Sequence, residues 1–309
     1  IKEIAKKLIK EKESGKRVVV VVSAMGKTTN GLIDMANQVS KTPSKRELDT
    51  LLSTGEQVTI SLLTMAIKEF GHNATSLTGF QAGILTEGAH TKNRIKDINI
   101  EKVEKCLDEG NIVVVAGFQG INEDGDITTL GRGGSDTTAV ALAAKLGCPC
   151  EIYTDVDGIY GIDPRPYPPA KKLDFITYEE MMEMSSLGSG IMETRSVEIG
   201  LKYKVPIYVG LNIGEKNGTY IKEFDETMEQ NSVTGVSATD NVLMITLNNI
   251  PYNTKSISNI FESLAERNVN IDMISQTSPS SNHVNVSFTT SKDDESTINE
   301  IISTLKSDV

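Results

Sequence analysis

Cysteine and basic charge are both scarce in this sequence, and each scarcity removes a class of protein. The three cysteines among 309 residues, Cys106, Cys148 and Cys150, are an odd set without zinc-ligand spacing. Neither a disulfide framework nor a structural zinc site is encoded, and a reduced, cytoplasmic setting is expected. The 31 lysines and arginines are outnumbered by 42 aspartates and glutamates, a net charge of −11. No basic stripe breaks that balance, so nucleic acid is not an expected partner. The apolar run at residues 18–22 is far too short to span a membrane. No signal-peptide pattern opens the chain either. It begins at Ile1, already inside a helical pattern, so the natural N-terminus is expected to lie upstream.

What remains is ordinary for a globular protein: 38% hydrophobic and 24% charged residues. The length gives room for two domains, or one large and one small, each with its own core. Residues 128–138 are the stretch around which the chain is organised. They set three glycines, Arg132, Asp136 and several hydroxyls between two regular runs. Ahead lie residues 111–117, apolar and β-branched, the pattern of a buried strand. Behind lie residues 139–146, rich in alanine and leucine and ending at Gly147 with Pro149 close by, a helix with a stop signal. Glycines ahead of a helix let the backbone approach a ligand closely, and the free amides of the helix start favour an anion. Arg132 can clasp a carboxylate or phosphate through two parallel hydrogen bonds. Asp136 is open to two readings, a helix cap or a functional group. The dinucleotide fingerprint is excluded, because Gly131, Gly133 and Gly134 are not followed by glycine or alanine at position 136.

Taken in order, residues 1–12 follow the three-four spacing of an amphipathic helix, and residues 17–22 read as a strand. Gly26, Lys27 and Thr28 suggest a P-loop, but that loop needs a glycine where Val21 stands. The stretch 23–30 reads either as a ligand-facing loop or as a structural turn. A long helical pattern starts near Leu48, with Val58, Leu62, Met65, Ala66 and Phe70 expected on its buried face. Gly55 and Glu56 interrupt it, marking a special position or simply a solvated glutamate. Residues 73–77 and 150–155 are expected strands, and 103–107 belong to a helix. The loop 156–165 is rich in carboxylates and turn formers. In open α/β sheets ligands collect beyond the carboxyl ends of strands, so this loop and the Gly131 loop can line one crevice, with Tyr160 stacking on a base and Arg165 holding phosphate. A plain Asx-Gly turn explains the same residues. Helices at 178–187 and 193–203 and a strand at 205–209 complete an alternating pattern that implies a mostly parallel sheet covered on both faces. The methionines of 178–187 read as core packing. Residues 211–233 read as a boundary. From 234 onward a βαββα run forms a small α+β unit, in which His283 on an alternating strand reads as structural.

Four stretches, 22–30, 52–56, 129–136 and 154–165, together resemble the aspartate kinase family, in that family's order and over nearly all of residues 1–233. Residues 236–309 resemble the first part of its regulatory ACT tandem. The resemblance implies the amino acid kinase fold in residues 1–233, an ACT-like regulatory domain in 234–309, and ATP- and Mg2+-dependent phosphorylation of the side-chain carboxylate of L-aspartate. It implies that Glu56 holds the substrate ammonium and Arg132 a substrate carboxylate, with Thr29, Gly133, Gly134 and Ser135 completing the pocket. Asp136 would organise the transferring phosphoryl group, Ser23 would lie near the phosphates, and Thr154, Asp155, Tyr160, Arg165, Gly190 and Ile191 would contact the nucleotide. No metal-ligand set of the protein's own is expected.

The same resemblance implies feedback by lysine or threonine, bound at Asn270, Ile271, Asp272, Ile274, Ser275 and Gln276, and a homodimer or larger homo-oligomer paired through ACT regions. The family's lysine-bearing N-terminal strand is absent from this sequence, and Gly190 stands where the family has a second lysine. Two alternatives accompany this expectation: another amino acid kinase, for glutamate or acetylglutamate, and a catalytically silent amino-acid sensor.

Overall fold

The computed structural model describes residues 1–212, 217–224, 233–267 and 269–307. The chain divides into two compact units, Ile1–Ser237 and Ala238–Val309. Part of the expected boundary at 211–233, Gly214 included, lies outside the described residues.

The first unit runs α1 (Lys2–Glu13), β1 (Val19–Val22), α2 (Thr28–Val39), α3 (Lys45–Leu52), α4 (Thr54–Glu69), β2 (Ala74–Leu77), β3 (Ile84–Glu87) and β4 (Arg94–Ile98). It continues with α5 (Glu101–Asp108), β5 (Ile112–Ala116), β6 (Gln119–Ile121), β7 (Ile127–Thr129), α6 (Gly134–Leu146) and β8 (Cys150–Thr154). It closes with β9 (Phe175–Thr177), α7 (Tyr178–Ser186), α8 (Thr194–Tyr203), β10 (Ile207–Leu211) and β11 (Thr219–Lys222). All five residues of β5 are buried, as an unbroken apolar run demands. Flanked in parallel by β1 and β2, it sends Val113 and Val115 into a core with residues of α5 and α6, and Ile112, Val114 and Ala116 into another with α1 and α4. The sheet is thus covered on both faces. A second sheet, β8-β10-β11-β9, is parallel except at the β10/β11 pair. Met181 and Met184 lie in its core, the packing role expected of them, and Met192 joins them there.

Residues 84–129 contain something the sequence pattern did not mark. They form a third sheet, β4-β3-β6-β7, from strands of three to five residues with little alternation. Helix α2 was likewise unmarked, because Thr28, Thr29, Asn30 and Gly31 open it with poor helix formers.

The expected inward face of α4 is corrected. Val58, Leu62, Met65 and Phe70 are exposed, while Thr59, Ile60, Leu63, Thr64 and Ile67 are buried and Ala66 packs at the margin. Thr59 satisfies its hydroxyl on the Gly55 carbonyl at 3.3 Å, so threonine serves as a core residue here. Two apolar stripes compete on this helix, and the hydroxyl-bearing one won.

The second unit runs β12 (Val242–Pro251), α9 (Thr254–Glu266), β13 (Met273–Gln276), β14 (His283–Ser291), the short 3-10 turn Lys292–Asp294 and α10 (Glu295–Ser307). This is the expected βαββα order. The antiparallel sheet has order β12-β14-β13, and Ile260, Leu264, Phe288, Ile298 and Ile301 form its core with both helices. His283 bonds the Ser281 carbonyl through Nδ1 at 2.8 Å. Among the described residues no helix is long and apolar enough to cross a membrane.

The corrected face of α4 gives a direct test by denaturant unfolding. Leu63→Ala, at a buried site, should cost about 2–5 kcal/mol, and Leu62→Ala, at the exposed neighbour, less than about 1 kcal/mol. Equal losses would restore the other face.

Candidate active site

The carboxyl ends of β1 and β5 lie side by side, Val22 opposite Ala116, and three loops leave from that edge. The loop after β1 passes Ser23 and enters α2, whose second residue is Thr29. Helix α4 starts against the same loop. Gly55 comes so close that a Cβ there would lie 2.9 Å from the Ala24 Cβ and 3.6 Å from Thr28 Cγ2. That closeness lets Glu56 reach across: its Oε1 accepts from the Ala24 amide at 3.0 Å. Glu56 is only 3% exposed, and its Oε2 is buried without a hydrogen-bond partner. Burial pushes its carboxyl up to about 7, against which the Ala24 amide pulls weakly.

Helix α6 starts on the end of β5. A Cβ on Gly117 would sit 2.7 Å from Ser135 Oγ, and one on Gly134 would sit 2.8 Å from the Phe118 ring. The Phe118 amide donates to Thr138 Oγ1 at 3.2 Å. Gly133, in the left-handed region at φ 62°, is the N-cap, so the capping alternative for Asp136 is excluded: Asp136 is the third residue of the helix. Its carboxyl is pushed up to about 6, first by burial and second by the charge of Glu193. Arg132 is exposed on the rim. Ser23, Thr29, Glu56 and Gly133–Asp136 therefore share one edge of the sheet.

The nucleotide-side candidates are less gathered. Thr154 ends β8, which α6 also covers, and donates to Asp155 Oδ1 at 2.9 Å. Tyr160 donates to Asp157 Oδ1 at 2.9 Å. Arg165 turns away, 88% exposed and paired with Asp163 at 2.7 Å. Gly190 is open to solvent, whereas Ile191 packs its side chain against the Met181 core. The effector candidates belong to the second unit. Ile274, Ser275 and Gln276 lie on the exposed edge strand β13, and Asn270, Ile271 and Asp272 precede it, with Asn270 Nδ2 donating to Asp272 at 3.2 Å. Among the described residues no three His, Cys, Asp or Glu gather as metal ligands.

Several residues here carried no sequence signal. Glu193 presses on Gly133, where a Cβ would lie 2.4 Å from its own Cβ. Arg195 Nη1 donates to the carbonyls of Asn93 at 3.0 Å and Leu130 at 3.1 Å, and Asp49 is wholly buried behind the loop. None lies in a motif; only the fold brings them here.

The arrangement sets two raised carboxyls, Glu56 and Asp136, and the exposed guanidinium of Arg132 around the start of a helix. The model of the amino acid kinase family matches residues 1–210. The aspartokinase of Bacillus sp. strain MGA3 is 51% identical over 296 residues, 95% of this chain and 72% of that protein. Aspartokinase 2 of Bacillus subtilis strain 168 is 50% identical over 279 residues, 90% of this chain and 68% of that one. Among solved structures, the aspartate kinase from Synechocystis is 40% identical with a TM-score of 0.64, over 98% of this chain and 52% of that chain. E. coli aspartokinase III in complex with aspartate and ADP is 26% identical with a TM-score of 0.71, over 85% of this chain and 59% of that chain. This chain thus spans about half the length of the Synechocystis structure. By identity and coverage together, the chain belongs to the aspartate kinases of the amino acid kinase family.

Proposed function

We propose that this chain transfers the γ-phosphoryl group of ATP to the side-chain carboxylate of L-aspartate, giving 4-phospho-L-aspartate and ADP. The observation that carries this reading is Glu56, a buried carboxylate with one unpartnered oxygen, set on the same sheet edge as the α6 start. An orphaned buried acceptor is costly until a donor arrives, and the ammonium of an amino acid is such a donor. Arg132, on the rim, takes a carboxylate of the same molecule, with Thr29, Gly133, Gly134 and Ser135 lining the pocket. Asp136 organises the phosphoryl group in transfer.

The acceptor carboxylate is ionised at neutral pH, so no side-chain base is required. Its oxygen attacks the γ-phosphorus as the bond to the bridging oxygen of ADP breaks. The residues of the chain then have two tasks, alignment and neutralisation of the charge that builds at the transferred group. The first-turn amides of α6 serve the second task, because the N–H groups that open a helix have no partner within it and favour an anion. Ser23, Thr154, Asp155, Tyr160, Arg165, Gly190 and Ile191 form the nucleotide side. Magnesium suits a donor set of this kind, one half-buried carboxylate beside a phosphate site, since that ion is held largely by phosphates and water. When bound it neutralises phosphate charge.

The βαββα unit supports a second part of the proposal: lysine or threonine binds around Asn270–Gln276 and lowers activity, the units of two or more copies pairing with one another. A titration of both amino acids across aspartate concentrations should raise the apparent KM for aspartate with at least one of them. Unchanged rates at every concentration would remove this part.

Steady-state kinetics with aspartate and Mg-ATP test the transfer itself. Arg132→Ala and Glu56→Ala should each lower kcat/KM for aspartate by about 2–3 kcal/mol, roughly 30- to 150-fold. Asp136→Ala should act mainly on kcat. Absence of aspartate-dependent ATP turnover in the intact protein would refute the proposal.

The pH profile carries its own sign. Both raised carboxyls are protonated, and neutral, below their values of about 7 for Glu56 and about 6 for Asp136. A neutral Glu56 cannot pair with an ammonium, so kcat/KM for aspartate should climb as pH rises through that window and level off above it. Glu56→Gln should lower the plateau and abolish the limb near pH 7. A wild-type profile flat from about pH 5 to 8, about one unit beyond each limit, would contradict the assignment.

A further inference from the structure

Asp49 is a buried carboxyl group that the transfer reaction does not use. It sits on α3, 0% exposed, where so polar a group is tolerated only if its oxygens find hydrogen-bond partners. Two elements supply them. Thr129 Oγ1, at the end of β7, donates to Oδ1 at 2.5 Å. From the turn after β3, the Thr91 amide lies 3.1 Å from each oxygen, and His90 Nδ1 lies 2.7 Å from Oδ2.

Thr91 itself is at φ 72°, a conformation that a β-branched residue avoids unless its surroundings impose it. Here the carboxylate of Asp49 imposes it by capturing the Thr91 amide. The same turn backs the substrate loop. The Thr91 carbonyl is 3.1 Å from where a Cβ on Gly131 would be, and the Asn93 amide donates to the Thr129 carbonyl at 3.0 Å. Arg195 then ties the two segments from outside, through the carbonyls of Asn93 and Leu130. On its other side α3 leads through Ser53, whose carbonyl accepts from Gln119 Nε2 at 2.8 Å, into the first turn of α4 and Glu56.

We propose that Asp49 is a positioning residue for substrate recognition: by holding Thr91 and Thr129 it fixes the loop of Arg132 against the helix pair that carries Glu56, and so sets the span between the cation and the anion that grip the amino acid. The effect rests on the proposed aspartate pocket, and it predicts selectivity for the length of the acidic substrate. Fixing both grips also fixes how far the side-chain carboxylate reaches toward the phosphate site, a reach that glutamate, one methylene longer, overshoots in a rigid pocket but not in a loosened one.

The test uses the full chain with Asp49→Asn, alone and combined with Thr91→Gly. Asparagine keeps the shape but turns an amide toward the donors. In Asp49→Asn, hydrogen exchange of amides 128–136 should accelerate by about tenfold while β5 keeps its protection. The KM for aspartate should rise by about tenfold with kcat and the KM for ATP little changed, and the aspartate-to-glutamate preference should narrow. Adding Thr91→Gly should recover part of the lost KM, because glycine adopts φ 72° without strain. Unaltered exchange at 128–136 in a folded variant overturns the proposal, as does a loss confined to kcat. If Asp49→Asn does not fold, Thr129→Val removes one donor at nearly constant volume and is read in the same way. A wild-type chain without aspartate turnover refutes the kinase reading alone; the exchange measurement still decides whether Asp49 holds the loop.

Discussion

Everything at the site depends on how closely the start of α6 sits on the end of β5. Gly117 and Gly134 leave no room between strand and helix, and Gly133 leaves none between that helix and the segment bearing Glu193. Because β1 and β5 are in parallel register, this contact also fixes the loop after β1, and through the Ala24 amide it fixes Glu56. A methyl group at 117 or 134 would not simply clash. It would lift the helix start from the sheet, and the amides of its first turn would no longer face the same space as the glutamate.

The electrostatics follow from the same closeness. Glu56 and Asp136 are both raised by burial, and Glu193 adds its charge to Asp136, while Arg132 stays at the exposed rim. The edge of the sheet therefore holds two carboxyls that burial drives toward their neutral forms. The ammonium and metal-bearing nucleotide of the proposed reaction are the groups that would favour the ionised forms.

Much of this was legible in the sequence where one physical signal dominated. The apolar run of β5, the alanine-rich body of α6 and the left-handed glycine that ends it all follow from composition and spacing. So does the βαββα order of the second unit. The glycines of the loop at 131–134 also marked where a strand end and a helix start meet. The losses are equally physical. The short strands β3, β4, β6 and β7 bury mixed side chains such as Thr86, Thr128 and Thr129, whose polarity is met by partners far away in sequence: Thr86 and Thr128 share a 2.6 Å hydroxyl bond. On α4, Thr59 and Thr64 share the core with Ile60, Leu63 and Ile67, while Val58, Leu62 and Met65 face outward. Asp49, Glu193 and Arg195 could not be found at all, because their partners are supplied by segments distant in sequence: His90, Thr91 and Thr129 for Asp49, Gly133 for Glu193, and the Asn93 and Leu130 carbonyls for Arg195.

The sheet order also bears on the birth of the chain. β5 lies between β1 and β2, although both precede it by a long stretch of sequence: Val19 waits for Val113, and Thr75 for the same residue. Until the ribosome has delivered β5, the valines of β1 have no strand to pair with, and the faces of α1 and α4 that cover this sheet have nothing to close on. Such distant parallel pairing is slow and leaves apolar surface uncovered in the meantime. A nascent aspartate kinase of this design is most vulnerable to aggregation before its central strand emerges, so chaperone demand during synthesis is written into the strand order itself.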